Sequence, residues 1–307
     1  MFEKVNPSHP DKVADRIAGA IVDRAYTFES SNPRIAVEVL IGHGKCYIII
    51  ESSAKFKKKD IKEIVNQISD AKVRLYLKQV PQDTHLAANQ EEEIRCGDNG
   101  IFKGTWLTEE QVELCGLAKE IYDQYECDGK YILDKRTSSL TVCQSQAGSR
   151  LASIVYGHQR ELLYNISLNP LGYWTGGINV DSGATNRKLG SDMGDSITGG
   201  GLHGKDLSKA DVSVNIFCQL YAIAYNTTCY AKCSIGDTDV SFTDVAIGGT
   251  KNIPFKKMVE AAREYIAFVG GFEKFAEWGL LASKTEKYAK EIFKEKWEKE
   301  GDINGTR

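Results

Sequence analysis

The sequence has no strong excess of either charge: 39 Lys and Arg face 42 Asp and Glu, a formal net charge of −3. That balance excludes a general attraction to nucleic acid or to an anionic membrane, so any anion must be held by local groups. No apolar run approaches the length of a membrane span, and the first eleven residues lack the apolar core and cleavage site of a secretory signal. The eight cysteines show no C-x-x-C spacing and are diluted over a chain large enough to need no cross-links, which predicts reduced thiols in a cytoplasmic protein. What is present is an ordinary globular composition, 42% hydrophobic and 26% charged over 307 residues. It excludes wholesale disorder and predicts two or three domains.

Hydrophobic spacing predicts a helix from near residue 10, with Val13, Ile17, Ile21 and Ala25 on one face. A second begins near 108, where Thr108, Glu109 and Glu110 form a plausible capped, acidic start to the stripe Leu114, Leu117, Ala118, Ile121 and Tyr125. A third begins near 207, with Ala210, Val214, Phe217, Cys218, Tyr221 and Tyr225. The starts therefore recur at a spacing of about 100 residues. Each helix is followed by two extended segments turning on Gly or Asp: around 42–44, around 134–137 and around 236–237. Each hairpin is followed by another apolar-striped segment: Ile61, Ile64, Val65 and Ile68; Leu151, Ile154, Val155 and Leu162; Phe255, Met258, Val259 and Ala262. The pattern predicts an α+β chain of three similar domains, each an antiparallel sheet with helices on one face, divided at 1–92, 93–168 and 169–307. Residues 283 to 299 predict a C-terminal amphipathic helix.

Candidate chemistry lies in the Gly-rich joints ahead of the three helices: His9-Pro-Asp-Lys12, Gly97-Asp-Asn-Gly100, and Gly199-Gly-Gly-Leu-His-Gly-Lys-Asp206. Backbone N–H groups at helix starts favour anions, and the Asp in each joint is a typical Mg²⁺ ligand, so a polyphosphate–magnesium site is expected. Gly199, Gly204 and Lys205 match G-x-x-x-x-G-K, but Asp206 stands where a Ser or Thr is required and no apolar strand precedes. An ordinary phosphate loop is therefore not expected. Periodicity alone reads Glu38 and Glu51 as solvent-facing members of alternating strands. His43, His85 and His158 have no metal-ligand spacing.

These segments, with Asn169-Pro-Leu-Gly172, the stretch Asp181 to Lys188, and Leu207-Ser-Lys-Ala-Asp211, resemble the S-adenosylmethionine synthetase (methionine adenosyltransferase) family over most of the chain. The resemblance implies a pseudo-threefold α+β fold and the conversion of ATP, L-methionine and water into S-adenosylmethionine, diphosphate and phosphate. It implies that His9, Lys130, Arg187 and Lys205 are catalytic, and that ATP is held by these with Asp128, Tyr173, Trp174, Asp181, Lys188 and Ile235. Methionine falls to Glu51, Gln90, Asp98, Asp181 and Lys209. Asp11 and Asp211 would hold Mg²⁺, with two ions expected, and Glu38 would hold K⁺. The family forms its sites between subunits, so a homodimer, or a tetramer built from such dimers, is expected, with no nucleic-acid or membrane partner. A non-catalytic relative that binds nucleotide or a partner subunit is the alternative reading. The joint presence of His9, Asp11, Lys130, Arg187, Lys205 and Asp211 favours the enzyme.

The chain departs from that pattern at several points. Between Gln90 and Gly97 only six residues remain where the family has a longer loop over the site, which predicts a more open site and faster product release. Asn99 stands for Gln, Tyr173 for Arg, Asn186 for Gly, Thr198 for His and Val212 for Arg, and one residue is missing between Gly201 and Gly204.

Overall fold

The computed structural model describes residues 1–28, 32–89, 93–158 and 164–299. Strand β1 (Phe2–Val5) leads into helix α1 (Pro10–Phe28), the hairpin β2 (Ile35–Gly42) and β3 (Lys45–Ser52), helix α2 (Lys58–Ser69), strand β4 (Arg74–Val80) and the short α3 (Thr84–Ala88). The second unit runs β5 (Gly100–Gly104), α4 (Glu109–Tyr122), the hairpin β6 (Gly129–Asp134) and β7 (Ser139–Gln144), α5 (Arg150–His158) and β8 (Asn165–Leu168). The third runs β9 (Ser182–Ala184), the short α6 (Leu189–Met193), α7 (Ala210–Tyr225), the hairpin β10 (Cys229–Cys233) and β11 (Asp239–Asp244), then β12 (Thr250–Pro254) and α8 (Phe255–Val269). The three-fold recurrence of helix, hairpin and helix is therefore real, with α4 starting behind the expected Thr108. The Thr108 hydroxyl accepts from the Gln111 N–H, while the Gln111 side chain accepts from the Thr108 N–H in return.

The strands form three four-stranded sheets in the orders β1-β6-β7-β8, β12-β11-β10-β5 and β4-β3-β2-β9. Each hairpin thus pairs with a leading strand from another unit. β1 of the first unit joins the second hairpin, β5 of the second joins the third, and β9 of the third joins the first. The sheets are not wholly antiparallel as expected, because β4 lies parallel to β3 and β8 parallel to β7. The physical reason is the helix inserted after each of those hairpins, which carries the chain back along the sheet before the next strand starts. In the third unit β12 follows β11 without a helix and stays antiparallel.

Alternation fixes which sheet face is covered: Ile35, Val37, Val39 and Ile41 of β2 are buried while Glu38 and Leu40 are exposed. Helix α7 is buried on all sides from Ala210 to Ala224 and packs in one core with α1 and the sheets of the first and third hairpins. A second core joins α4, α5 and the second hairpin. Helix α9 (Phe272–Trp278) crosses α1 at Gly19, where a Cβ would stand 2.6 Å from the Phe272 carbonyl oxygen. The Asp23 carboxylate of α1 accepts the Phe272 and Glu273 N–H groups at 2.8 and 2.9 Å and so caps α9. The expected C-terminal helix is α10 (Ser283–Tyr288) and α11 (Lys294–Lys299) joined through a π turn at Ala289–Phe293, with Phe293 and Trp297 packed on Phe217. All eight cysteines are free.

Candidate active site

Pro10 begins α1, and strand β9 presses against that start through Gly183, where a Cβ would fall 2.0 Å from the Pro10 carbonyl. The Asp11 carboxylate, buried at this contact, accepts the Ala184 N–H at 2.9 Å. The turn after β9 then brings Arg187 Nε to 3.6 Å from Asp11 Oδ1 and Lys188 Nζ to 3.6 Å from Oδ2. Strand β6, beside β1, adds Lys130, whose Nζ is 3.2 Å from Glu3, and Lys188 reaches the same Glu3 at 4.0 Å. His9 accepts the Asp11 N–H on Nδ1 at 3.2 Å, which leaves Nε2–H as its donor. Burial lowers its pKa to about 4 against the pull of Asp11, with Lys188 and Lys130 adding to the fall, so the ring is neutral at neutral pH.

Asp128, just ahead of β6, accepts the Gly177 N–H on Oδ2 at 2.8 Å, and its Oδ1 is buried without a partner. Burial raises its carboxyl to about 6 despite that N–H, and the charge of Asp181 contributes to the rise. Trp174 donates its indole N–H to Asn169 at 3.4 Å and lines a cavity of about 340 Å³ with Cys143, Pro170, Leu171 and Gly172. Tyr173 is 72% exposed. One neighbourhood thus gathers His9, Asp11, Asp128, Lys130, Asp181, Arg187 and Lys188.

A second group forms where the joints before β5 and α7 meet. Lys205 Nζ stands 2.6 Å from Asp211 Oδ2, which also accepts the Gly201 N–H at 3.3 Å. Lys209 is buried and donates to the Gly97 carbonyl at 3.4 Å, beside Asp98. The Ile235 N–H donates to the Asn99 side chain at 2.7 Å, next to an open groove of about 510 Å³ lined by residues of β5, β10 and β11. The charges of Asp211 and Asp98 both act on Cys233 at the end of β10, which contacts Cys96. Glu38 and Glu51 lie on the outward face of their sheet with exposed Leu40, Tyr47 and Ile49, and Glu38 accepts a hydrogen bond from Thr185. Gln90 lies outside the described residues.

Sequence reasoning missed a buried ionic cluster directly beneath Asp11. Lys12 Nζ lies 3.2 Å from Asp15 and 2.5 Å from Asp192, and His203 Nε2 lies 2.8 Å from Asp192. Burial works against every charge in it. Lys12 nonetheless has its pKa raised, because Asp192 and Asp15 outweigh that burial, while Asp192 is held low by Lys12 and His203. The available signal was Lys12 and Asp15 set among Val13, Ala14 and Ile17, charges on the buried part of a helix.

Among the described residues only Asp15, Asp192 and His203 bring three metal-type ligands together. An ammonium already supplies the cation there, so this is a structural cluster. Asp11 and Asp211 suit Mg²⁺ better: each is a carboxylate fixed by a backbone N–H, offering oxygen donors to a hard cation. Glu38 with the Thr185 hydroxyl offers two adjacent oxygens, a donor set that fits a monovalent cation.

Carboxylates and cations set at helix starts, a neutral histidine and three strand-exchanging sheets thus make up this α+β protein. Residues 1–72 match the family model for the S-adenosylmethionine synthetase, N-terminal domain. An S-adenosylmethionine synthase of Salinibacter ruber is 26% identical over 86% of this chain and 84% of its own length. One of Helicobacter hepaticus is 26% identical over 99% of this chain and 96% of its own. The solved structure of an unusual S-adenosylmethionine synthetase from Campylobacter jejuni matches with a TM-score of 0.71 at 19% identity, covering 97% of this chain and 99% of that one. The chain is similar to the S-adenosylmethionine synthetases: its first 72 residues match their N-terminal domain model, and it shares the fold of the Campylobacter jejuni protein along nearly its whole length.

Proposed function

We propose that the protein is a methionine adenosyltransferase, joining ATP and L-methionine into S-adenosylmethionine and cleaving the released tripolyphosphate to diphosphate and phosphate. The observation that carries this reading is the convergence of Arg187, Lys188 and a neutral His9 on Asp11 at the start of α1. The methionine thioether is already nucleophilic, so no general base is required. Its sulfur bonds to ribose C5′ while the C5′–O5′ bond breaks, and the electron pair leaves with the triphosphate. The site must align the two reactants and meet the growing negative charge. His9 Nε2–H is the donor for the departing bridging oxygen, and Lys130, Arg187, Lys188 and Lys205 hold phosphate oxygens. Mg²⁺, bound by Asp11 and Asp211, would neutralise further phosphate charge, and Glu38 would hold K⁺. Asp128, with its unpartnered buried oxygen, would meet the nucleoside, the base lying by Trp174 and Tyr173 with Ile235 as an apolar contact. Glu51, Gln90, Asp98, Asp181 and Lys209 would receive methionine.

The division at 1–92, 93–168 and 169–307 remains the proposed domain assignment. A homodimer is proposed from the exposed Leu40, Tyr47 and Ile49 beside Glu38 and Glu51, since an apolar patch flanked by functional carboxylates is suited to a subunit contact. Work in the cytoplasm is proposed from the uncrosslinked cysteines, and no helix among the described residues is long and apolar enough to cross a membrane. The short segment between Gln90 and Gly97 supports a site that opens readily. The test is incubation with ATP, methionine, Mg²⁺ and K⁺, resolving products by chromatography. S-Adenosylmethionine with equal diphosphate and phosphate is expected; accumulating tripolyphosphate would locate a defect in the second step. No S-adenosylmethionine from folded, ATP-binding protein would refute the proposal and favour a nucleotide-binding partner subunit.

A further inference from the structure

Asn186 and the glycine segment before α7, Gly199 to Gly204, meet in space. The Asn186 backbone takes a left-handed φ of 62°, and its N–H donates to the buried Asp15 at 2.8 Å. Its side-chain oxygen accepts two consecutive N–H groups of the segment, Leu202 at 2.8 Å and His203 at 2.9 Å, while its amide nitrogen donates back to the His203 carbonyl at 3.3 Å. The contact needs Gly201, because a Cβ there would stand 2.7 Å from the Asn186 amide nitrogen. On the other side of the same segment, a Cβ on Gly200 would fall 2.2 Å from Asp211 Oδ1. At its far end the Gly204 carbonyl accepts the Val37 N–H at 2.7 Å. The loop that delivers Lys205 is thus gripped at three points, one of them the Asn186 side chain.

We infer that Asn186 is a positioning residue: its amide anchors the glycine loop and so holds Lys205 on Asp211 in fixed relation to Arg187. The inference rests on the proposed reading of Lys205 and Arg187 as phosphate-holding groups. The side chain makes its hydrogen bonds to the loop. It acts by limiting the loop to one arrangement, which matters because a charge displaced by even 1 Å stabilises a transition state poorly.

Asn186→Gly keeps the backbone conformation available and removes the amide, so it isolates the anchor from the turn. Hydrogen exchange on the full chain should show the Leu202 and His203 amides losing about tenfold or more of their protection, with strand amides of β2 and β3 unchanged. S-Adenosylmethionine formation should fall in kcat by about tenfold, with KM for ATP changing less. Asn186→Asp retains the acceptor for both N–H groups and tolerates the left-handed φ, and should restore protection at Leu202 and His203. Unchanged protection in Asn186→Gly would overturn the anchor. So would protection lost equally from the sheets, which marks a general structural role. Lost loop protection with kcat unaltered would overturn positioning. If the unsubstituted chain made no S-adenosylmethionine, the reading of the site would fail on its own, and the exchange contrast would still decide whether the amide holds the loop.

Discussion

Asp11 and Lys12 are neighbours in sequence, yet they begin two ionic assemblies of opposite character. Lys12 turns inward to Asp15, Asp192 and His203, all essentially without solvent contact, and its ammonium lies between the two carboxylates. Asp11 belongs to a set that is open on one side, where Arg187 is 56% exposed and Lys188 20%, and where three cations share two nearby carboxylates. The closed assembly presents almost nothing to solvent, so it serves to hold α1, α6 and the glycine loop in place. On the proposed reading, the open one keeps its cations for phosphate. Composition does not separate the two, since both draw on Lys, Asp and His; the difference is whether the charges reach solvent.

The largest effect that would break the comparison is on stability. Lys12→Met should leave Asp15 and Asp192 buried without their cation and lower the unfolding free energy in urea titrations by about 3–5 kcal/mol. Lys188→Met should change it by less than about 1 kcal/mol. Equal losses would mean that the open set is structural as well. Next, Arg187→Met should lower kcat for S-adenosylmethionine by about 10²–10³-fold in steady-state assays. A change confined to KM would assign Arg187 to ground-state binding instead. A smaller effect concerns pH. The pKa of His9 is depressed to about 4 in the folded chain, against an ordinary value near 6.5. The unfolded chain therefore takes up a proton first as pH falls, and stability present above pH 6.5 is lost between 6.5 and about 4. His9→Gln should flatten that part of the stability profile; an unchanged slope would show that other groups set it. The smallest expected change is Thr108→Ala, which removes one half of the α4 cap and should cost about 1 kcal/mol without altering activity.

Much of the architecture could be read from the chain because its signals are local. The stripe Val13, Ile17, Ile21, Ala25 marks α1, Thr108 marks the start of α4, and the turns at Gly42–Gly44 and around Asp134 mark hairpins. Strands β1, β5 and β9 escaped because they span three to five residues, too short for alternation to show, and their partners lie far along the chain. Of the site, the Gly-rich joints were visible as anion-binding helix starts. Glu38 and Glu51 enter only through the resemblance, since alternation describes their exposure and says nothing about use. The cluster around Asp192 and His203 depended on residues about 190 positions from Lys12, and only the anomaly of charge on a buried helix face pointed to it.

The passing of each leading strand to another unit also orders events during synthesis. The sheet of the second hairpin has all its strands once residue 168 has left the ribosome, that of the first must wait for β9 at residues 182–184, and that of the third for β12 at 250–254. The unit encoded first is therefore not the first that can close. Until β9 arrives, the edge of β2 stands open over Leu40 to Gly42, a stretch of bare backbone on a nascent chain. For the same reason no third of the gene, expressed alone, encodes a sheet with all four of its strands.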